Sequence, residues 1–299
     1  MIERILVTGV NGFIGTYVAK HLRDEGKIVY GVSRKEMPGA YCSEIVLADI
    51  SADGFVDTVI DSISKCDAII HLAANLDMKG SAQTILTNCM GTYNICKLAN
   101  YWNIKKIVYM SSIPVIGIPQ NIPITEEHPV EPGTLYHITK YTGELIVRNC
   151  CNMGIGQVII RIPSPVGFGM NGSTLLSIIL KKCLLNEDII LYGKGLRKQN
   201  YVDVRDICHA ISKSLTSDYS GLINIAGEES ITNYDLSKKC IELTKANSRI
   251  IFNGMEDREE HCIWDVSIER AKDKISYTPQ FSLDDSIRWI YECMKREEL

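Results

Sequence analysis

The sequence has no excess of positive charge and no long hydrophobic run. Its 32 Lys and Arg residues are outnumbered by 36 Asp and Glu residues, which gives a net charge of −4. This balance lacks the basic patch that binds nucleic acid or an acidic membrane surface. The longest apolar candidate, LLSIILKKCLL, is interrupted by Lys181 and Lys182 and is shorter than the ~18 residues of a spanning helix. We therefore expect neither nucleic acid nor a membrane as partner.

Paired cysteines are also lacking. The 11 cysteines are odd in number and form no C-x-x-C pair. Cysteines scattered through apolar segments are typical of reduced, buried thiols, not of a disulfide framework or a zinc site. The N-terminal MIERILVTG enters a strand-like run directly, without the charged-then-apolar pattern of a signal peptide. The sequence thus predicts a cytoplasmic protein with no metal site.

What the first half does contain is an alternation of short apolar runs and amphipathic stretches. The runs are RILVTG, IVYGV, IVLAD, AIIHLAA, KIVYMSS and VIIRI. Near-continuous apolar runs of this length fit strands that are buried on both faces of a parallel sheet. The stretches TILTNCMGTYNICKLANYW and LYHITKYTGELIVRNCC predict longer helices. The pattern indicates an α/β fold, a Rossmann-like doubly wound parallel sheet.

The rhythm changes after about residue 163, where a turn-rich PSPVGFGMNGS follows the last of these runs. RDICHAISKSL and GLINIAG predict one more helix and strand that return to the sheet. We expect a dinucleotide-binding domain of residues 1–163 plus about 204–226. A smaller, interleaved C-terminal substrate domain would then comprise about 164–203 plus 227–299.

Three glycines follow the first predicted strand at regular spacing. VTGVNGFIG places Gly9, Gly12 and Gly15 where the chain turns from strand to helix. Glycine permits a tight turn and lets a pyrophosphate approach the helix N-terminus, whose free N–H groups favour an anion. The spacing is G-x-x-G-x-x-G and not the commoner G-x-G-x-x-G, but the strand-turn-helix context is met. The stretch predicts a dinucleotide loop.

The second strand ends without the carboxylate that usually binds the ribose 2′-hydroxyl. Ser33 and Arg34 stand there, and Arg suits a 2′-phosphate. This slightly favours NADP over NAD, with a solvated surface Arg as the alternative. Asp49, after the third strand, is either an adenine contact or a turn residue.

Taken together, TGVNGFIG, HLAA, YMSSIPVIG and YHITK resemble, in order and spacing, the extended short-chain dehydrogenase/reductase superfamily. More narrowly, the chain resembles the NAD-dependent epimerase/dehydratase family, which acts on nucleotide sugars. The resemblance implies Tyr136, Lys140 and Ser112 as catalytic residues, with Ser111 as the fallback serine. It also implies cofactor contacts from Gly9, Asn11, Gly12, Phe13, Ile14, Gly15, Ser33, Arg34, Asp49, Ile50, Leu72, Ala73, Ala74, Asn88, Tyr136, Lys140 and Pro163.

The expected chemistry centres on a phenol and an ammonium one helical turn apart. A phenol has a pKa near about 10, so we expect Lys140 and a positive nicotinamide ring to lower the pKa of Tyr136. Tyr136 would then exchange a proton with a sugar hydroxyl that Ser112 holds. Glu144 lies on the same helix face, and we expect it to be solvated.

Within the family, the residues after the serine narrow the reaction. Dehydratases and decarboxylases usually carry Asp or Glu there, whereas this chain has Ile113 and Pro114. The remaining reactions are 4-epimerisation and reduction of a 4-keto sugar. Arg34 favours net reduction, since NADPH is the usual reductant. Family members of this appearance are most often epimerase-like, so both reactions stay open.

Contacts to the substrate are predicted from the second half. Ser111, Ser112 and Ser164 would touch the substrate, and Arg197 would contact its diphosphate, with Arg249 as a possible second cation. Two alternatives remain: a reductase of a small non-sugar carbonyl, and a non-catalytic NADP-sensing protein. The resemblance further implies a homodimer through the two long helices.

Overall fold

The computed structural model describes residues 2–36 and 41–297. Its strands are β1 (Arg4–Thr8), β2 (Ile28–Ser33), β3 (Glu44–Leu47), β4 (Ala68–His71), β5 (Lys106–Ser112), β6 (Gly156–Ile162), β7 (Ser164–Val166), β8 (Ile189–Leu191), β9 (Lys198–Asp203), β10 (Gly221–Asn224), β11 (Ser230–Thr232) and β12 (Ile250–Phe252). Its α-helices are α1 (Phe13–Asp24), α2 (Phe55–Ser62), α3 (Ala82–Ile85), α4 (Gly91–Trp102), α5 (Leu135–Cys150), α6 (Leu175–Leu185), α7 (Val204–Thr216), α8 (Asn233–Thr244), α9 (Glu269–Ile275) and α10 (Leu283–Glu297).

The large sheet has seven parallel strands in the order β10-β6-β5-β4-β1-β2-β3. All six runs identified in the first half are strands of it, and GLINIAG supplies β10 at one edge. The predicted α/β fold with a doubly wound parallel sheet is therefore confirmed. The chain order reverses between β1 and β4, and in such sheets ligands bind beyond the carboxyl ends of the strands at this point.

Side chains alternate across the sheet and build two separate cores. Ile5 and Val7 pack with residues of α1, α7 and α9 on one face. Leu6, between them, belongs to the core that α2, α4 and α5 cover on the other face. This alternation follows from the two-residue period of a strand. Burial on both faces explains why the middle of each strand is apolar and why most of the polar residues lie at the strand ends.

A third core lies in the C-terminal half. Helices α6, α8 and α10 pack around a three-stranded sheet, β11-β9-β7, and a two-stranded one, β12-β8. The arrangement supports the expected two-part layout, which stays a proposal. Within the described ranges there is no helix that is both long and apolar enough to cross a membrane.

One predicted helix differs in detail from the structure. TILTNCMGTYNICKLANYW is not a single α-helix, since Leu86–Met90 forms a π-helical turn between α3 and α4. π-turns are frequent at functional sites. Periodicity does not reveal such a turn, because it shifts the helix by only one residue.

Candidate active site

The glycine loop after β1 is packed too closely for a side chain at Gly9 and at Gly15. Gly9 has φ +70°, and a Cβ on it would lie 2.7 Å from the backbone nitrogen of Ala73. A Cβ on Gly15 would lie 2.1 Å from the carbonyl oxygen of Gly9. Gly12 precedes α1 and has no side chain to cap it. The first N–H groups of α1 therefore remain available to an anion, which fits the pyrophosphate of a dinucleotide.

A single cleft of about 920 Å³ runs along the carboxyl edge of the sheet from this loop. Most of the predicted site residues line it: Gly9, Asn11, Gly12, Phe13, Ile14, Gly15, Ser33, Arg34, Asp49, Ile50, Leu72, Ala73, Ala74, Ser111, Ser112, Tyr136, Lys140, Pro163 and Ser164. Residues distant in sequence meet there because each follows a parallel strand or lies on α5.

The end of the cleft at β2 is a polar network. Asn11 Nδ2 donates to Ser33 Oγ at 2.5 Å, and Ser33 Oγ donates to the carbonyl of Lys35 at 2.7 Å. The hydroxyl of Ser33 is thus engaged within the protein. Arg34 is exposed and makes no hydrogen bond or ion pair with another described residue. Its guanidinium is therefore open to a ligand here.

Asp49 is a turn residue, and its contact with adenine stays a prediction. It accepts hydrogen bonds from the backbone nitrogen of Ser51 at 2.9 Å and from its hydroxyl at 2.6 Å, which forms a turn. It also lines the cleft. The hydrogen bonds from Ser51 and, more weakly, the charge of Arg34 lower the pKa of Asp49.

Helix α5 carries the phenol and the ammonium. Thr134 caps it by accepting a hydrogen bond from the backbone nitrogen of His137. Burial lowers the pKa of Lys140 to about 7, while the charge of Glu144 acts in the opposite direction. Lys140 directs its ammonium at the ring of Tyr109. At neutral pH a lysine of this kind can gain or lose its proton.

The predicted lowering of the pKa of Tyr136 is wrong when only the groups of the protein are considered. Burial raises the pKa of Tyr136 to about 12, where a lowering was expected from Lys140. Lys140 faces Tyr109 instead, and its own lowered pKa leaves it only partly charged near pH 7. Sequence spacing places the two on one face of the helix, but only packing decides where the ammonium points.

The two serines at the end of β5 have opposite roles. Ser111 Oγ donates to Glu144 Oε1 at 2.5 Å, on the buried side of the strand. Because neighbouring residues of a strand face opposite ways, Ser112 is directed away from this carboxylate. Of the two, Ser112 is the serine whose hydroxyl stays available in the cleft.

A second expectation, that Glu144 is solvated, is also wrong. Its side chain is 0% exposed, and not solvated as expected. Arg161, on β6, donates to both of its carboxylate oxygens at 2.8 Å. A buried carboxylate with these partners was invisible to the sequence analysis because Arg161 lies in an otherwise apolar strand.

Comparison with known proteins identifies the family. The model of the NAD-dependent epimerase/dehydratase family matches residues 5–226. The chain belongs to the NAD-dependent epimerase/dehydratase family. The predicted family and enzyme class are thereby confirmed, and the family name states its dependence on NAD.

Individual relatives show the breadth of the family. A UDP-glucose 4-epimerase of Halalkalibacterium halodurans is 30% identical over 69% of this chain and 67% of its own length. A dTDP-glucose 4,6-dehydratase of Streptomyces niveus is 26% identical over 95% of this chain and 90% of its own. The crystal structure of a Thermotoga maritima UDP-glucose 4-epimerase with UDP-glucose has a TM-score of 0.88 at 21% identity, covering 99% of this chain and all of that one. The structural likeness shows the shared fold.

Two residues predicted for this family's site do not line the cleft. Asn88 is buried, and its amide is occupied: Oδ1 accepts from Asn75 N at 2.7 Å and Nδ2 donates to Thr139 Oγ1 at 2.9 Å. Arg197 forms an ion pair with Glu259 at 2.6 Å. Their predicted contacts with cofactor and diphosphate stay predictions: both side chains have protein partners here, but Nε of Arg197 is buried without a partner among the described residues.

Other lining residues were missed by the sequence analysis. Lys35 lies beside Arg34, and its charge in SRK was a usable signal. The remaining residues are apolar or uncharged and carry no motif: Val32, Ala48, Leu76, Met78, Thr87, Met110, Ile162, Pro165, Val166, Met170, Asn171, Thr174, Leu175, Leu176, Gln199 and Tyr201. Only the fold brings these residues together in the lining of the cleft.

Proposed function

We propose that the protein is a nucleotide-sugar enzyme that works at the C4 carbon of the sugar, as a 4-epimerase or a 4-ketoreductase. The observation that carries this proposal is the convergence of Ser112, Tyr136 and Lys140 in one cleft with the glycine loop. Serine, tyrosine and lysine supply a hydrogen-bond donor, a proton-transfer group and a cation, which the oxidation of an alcohol or the reduction of a ketone requires.

In this proposal each residue has a definite task. The nicotinamide ring of NAD(P), when bound, supplies the hydride acceptor or donor. Tyr136 takes the proton from the reacting hydroxyl or returns it to the ketone. Ser112 holds the same oxygen by a hydrogen bond, and Lys140, over the ring of Tyr109, supplies a cation to the same cleft when it is protonated.

The scarcity of carboxylates in the cleft favours epimerisation and ketone reduction over elimination. Among the lining residues that the structure describes, the sole carboxylate is Asp49, beside Arg34 at the cofactor end. Ile113 and Pro114 begin a 3₁₀ turn and do not line the cleft. Dehydration would need an acid or a base near the sugar, and Ile113 and Pro114 after the serine supply neither.

For the cofactor we propose NADP, slightly favoured over NAD. Arg34 and Lys35 line the cleft beyond β2, and Ser33 at the end of that strand stands where a carboxylate would bind a 2′-hydroxyl. Two cations there complement a 2′-phosphate. The family name points to NAD, so the preference requires a direct measurement.

The substrate half of the cleft favours a second candidate, a reductase of a small uncharged carbonyl. Cations that line the described cleft are Arg34, Lys35 and Lys140, all at its cofactor side, and Arg197 is bound to Glu259. The opposite wall includes Val166, Met170, Leu175 and Leu176 among its apolar residues. A diphosphate would have to rely there on neutral donors or displace Glu259 from Arg197.

One assay separates these functions. The protein is incubated with UDP-, dTDP-, GDP- and CDP-sugars and with simple ketones, each with NADPH, NADH or no added cofactor. Sugar interconversion without cofactor consumption means a 4-epimerase; consumption with a nucleotide 4-keto sugar means a ketoreductase. Turnover of simple ketones alone would replace the proposal by the second candidate. Binding of cofactor without any turnover would favour the sensing role.

We further propose that the protein is a homodimer. Large apolar side chains remain exposed along α3, α4, α5 and the π turn: Ile85, Leu86, Met90, Tyr93, Tyr101, Ile138 and Leu145. Exposed apolar side chains in such number are typical of a protein interface. Sedimentation equilibrium measures the assembly directly. The cytoplasmic location stays a prediction.

A further inference from the structure

A buried ionic cluster lies behind the proposed catalytic residues. The side chains of Glu144 and Arg161 are 0% and 2% exposed. Arg161 Nε and Nη2 each donate to the carboxylate of Glu144 at 2.8 Å, and Ser111 Oγ donates to the same carboxylate at 2.5 Å. Because Ser111 and Arg161 are paired in register across β5 and β6, one carboxylate joins two strands to α5.

The cluster shares its supports with the reacting groups. Glu144 follows Lys140 by one helical turn on α5, and residues four apart lie on one face of a helix. Ser111 is the immediate neighbour of Ser112 on β5. Any loss of the bonds to Glu144 therefore lets α5 shift relative to the end of β5, which changes the placement of the phenol relative to the serine.

The cluster also acts by charge. Burial lowers the pKa of Lys140, and Glu144 is the first of the groups that raise it again. The other titratable groups around Lys140 come from three elements: Cys89 of the π turn, Tyr109 of β5 and His71 of β4. Burial keeps His71 neutral by lowering its pKa to about 3, and burial raises the pKa of Cys89 and of Tyr109. Among these groups, Glu144 is the one carboxylate, and it is paired with Arg161.

We propose that Glu144 is a positioning residue which, with Arg161 and Ser111, fixes α5 against β5 and sets a negative charge behind the Lys140 ammonium. The inference rests on the proposed function, because it assigns Glu144 a part in the work of Tyr136, Lys140 and Ser112. A purely structural ion pair would stabilise the fold without affecting the ammonium.

The test uses the double variant Glu144→Gln/Arg161→Gln and the pH dependence of NADPH binding, followed by the fluorescence of the dinucleotide. Removing both charges together avoids leaving one of them buried and unpaired. We expect NADPH affinity to fall as Lys140 loses its proton. In the double variant this fall should come about one pH unit lower, because the lost charge of Glu144 is the one that raises the pKa of Lys140.

A matched control removes a buried acid elsewhere. The side chain of Asp203 is 0% exposed and is paired with Arg205 at 2.7 Å at the start of α7, outside the cleft lining. Asp203→Asn should lower the melting temperature but keep the wild-type pH midpoint of NADPH binding. An equal midpoint in the double variant and the wild type would overturn the charge role of Glu144 while leaving the proposed function intact. Failure of the wild type to bind either dinucleotide would overturn both.

A conservative variant tests position apart from charge and covers the case in which the double variant does not fold. Glu144→Asp keeps the charge but is shorter by one methylene, so the bonds to Ser111 and Arg161 cannot all form. We expect a wild-type pH midpoint and a turnover that is lower by about tenfold, since small misplacements of reacting groups are expensive. Wild-type turnover in Glu144→Asp would contradict the positioning role.

Discussion

Lys140 on α5 and Tyr109 on β5 contact each other in two ways across the interface of helix and sheet. The ammonium of Lys140 lies 4.3 Å from the centroid of the Tyr109 ring, and the hydroxyl of Tyr109 donates to the carbonyl oxygen of Lys140 at 3.2 Å. The cation–π contact replaces part of the hydration that Lys140 loses on burial. The relationship explains how an ammonium can be kept at the base of the cleft.

Lys140 makes stability depend on pH in a direction that can be checked. Its pKa is about 7 in the folded protein and about 10.4 when unfolded. Between these values the unfolded chain binds more protons, so the free energy of unfolding rises with pH by up to about 1.4 kcal/mol per pH unit from this group. Compared with Lys140→Met, which lacks the group, the wild type should gain stability from pH 7 to pH 9. Urea melts at both pH values measure the difference; a constant difference between the two proteins would contradict the lowered pKa.

The helix approaches Tyr109 at a glycine. A Cβ on Gly143 would lie 2.1 Å from the hydroxyl oxygen of Tyr109. We expect Gly143→Ala to displace the ring that supports Lys140 and to destabilise the fold by about 1–3 kcal/mol. Gly133→Ala is the control, because an added Cβ there meets nothing within 4 Å. Thermal unfolding of the two variants is the measurement, and equal melting temperatures would show that the ring yields without cost.

Tyr136 is the residue whose loss should affect the rate most directly. Tyr136→Phe removes the hydroxyl that exchanges the proton, and we expect turnover to fall by about 10²–10⁴-fold. NADPH affinity should change little. Tyr141→Phe, on the same helix but outside the cleft lining, should keep full turnover. Activity in Tyr136→Phe close to that of wild type would exclude Tyr136 as the proton-transfer group.

Arg34 should decide between the two dinucleotides. Arg34→Ala removes the exposed guanidinium near Asp49, and we expect NADPH binding to weaken by about tenfold or more, the loss of a charged hydrogen bond. NADH binding should be nearly unchanged. Arg258→Ala, an exposed arginine outside the cleft lining, is the matched control. Equal losses for NADH and NADPH would refute the contact with a 2′-phosphate.

The sequence by itself determined the elements and the family. The strands are mostly apolar because both faces of the sheet are covered. The loop after β1 needs glycine because a Cβ on Gly9 would lie 2.7 Å from the backbone nitrogen of Ala73. Both are local requirements, so they appear in consecutive residues. The spacing of Tyr136 and Lys140 is likewise local, since one helix carries both.

The tertiary structure decided which partner each polar side chain takes. It buried Glu144 against Arg161, paired Arg197 with Glu259, surrounded Asn88 with protein groups and bonded Ser111 to Glu144. Each of these outcomes depends on a residue that is distant in the chain. The partner of a polar side chain is decided by neighbours in space, so periodicity and spacing in the sequence do not reveal it.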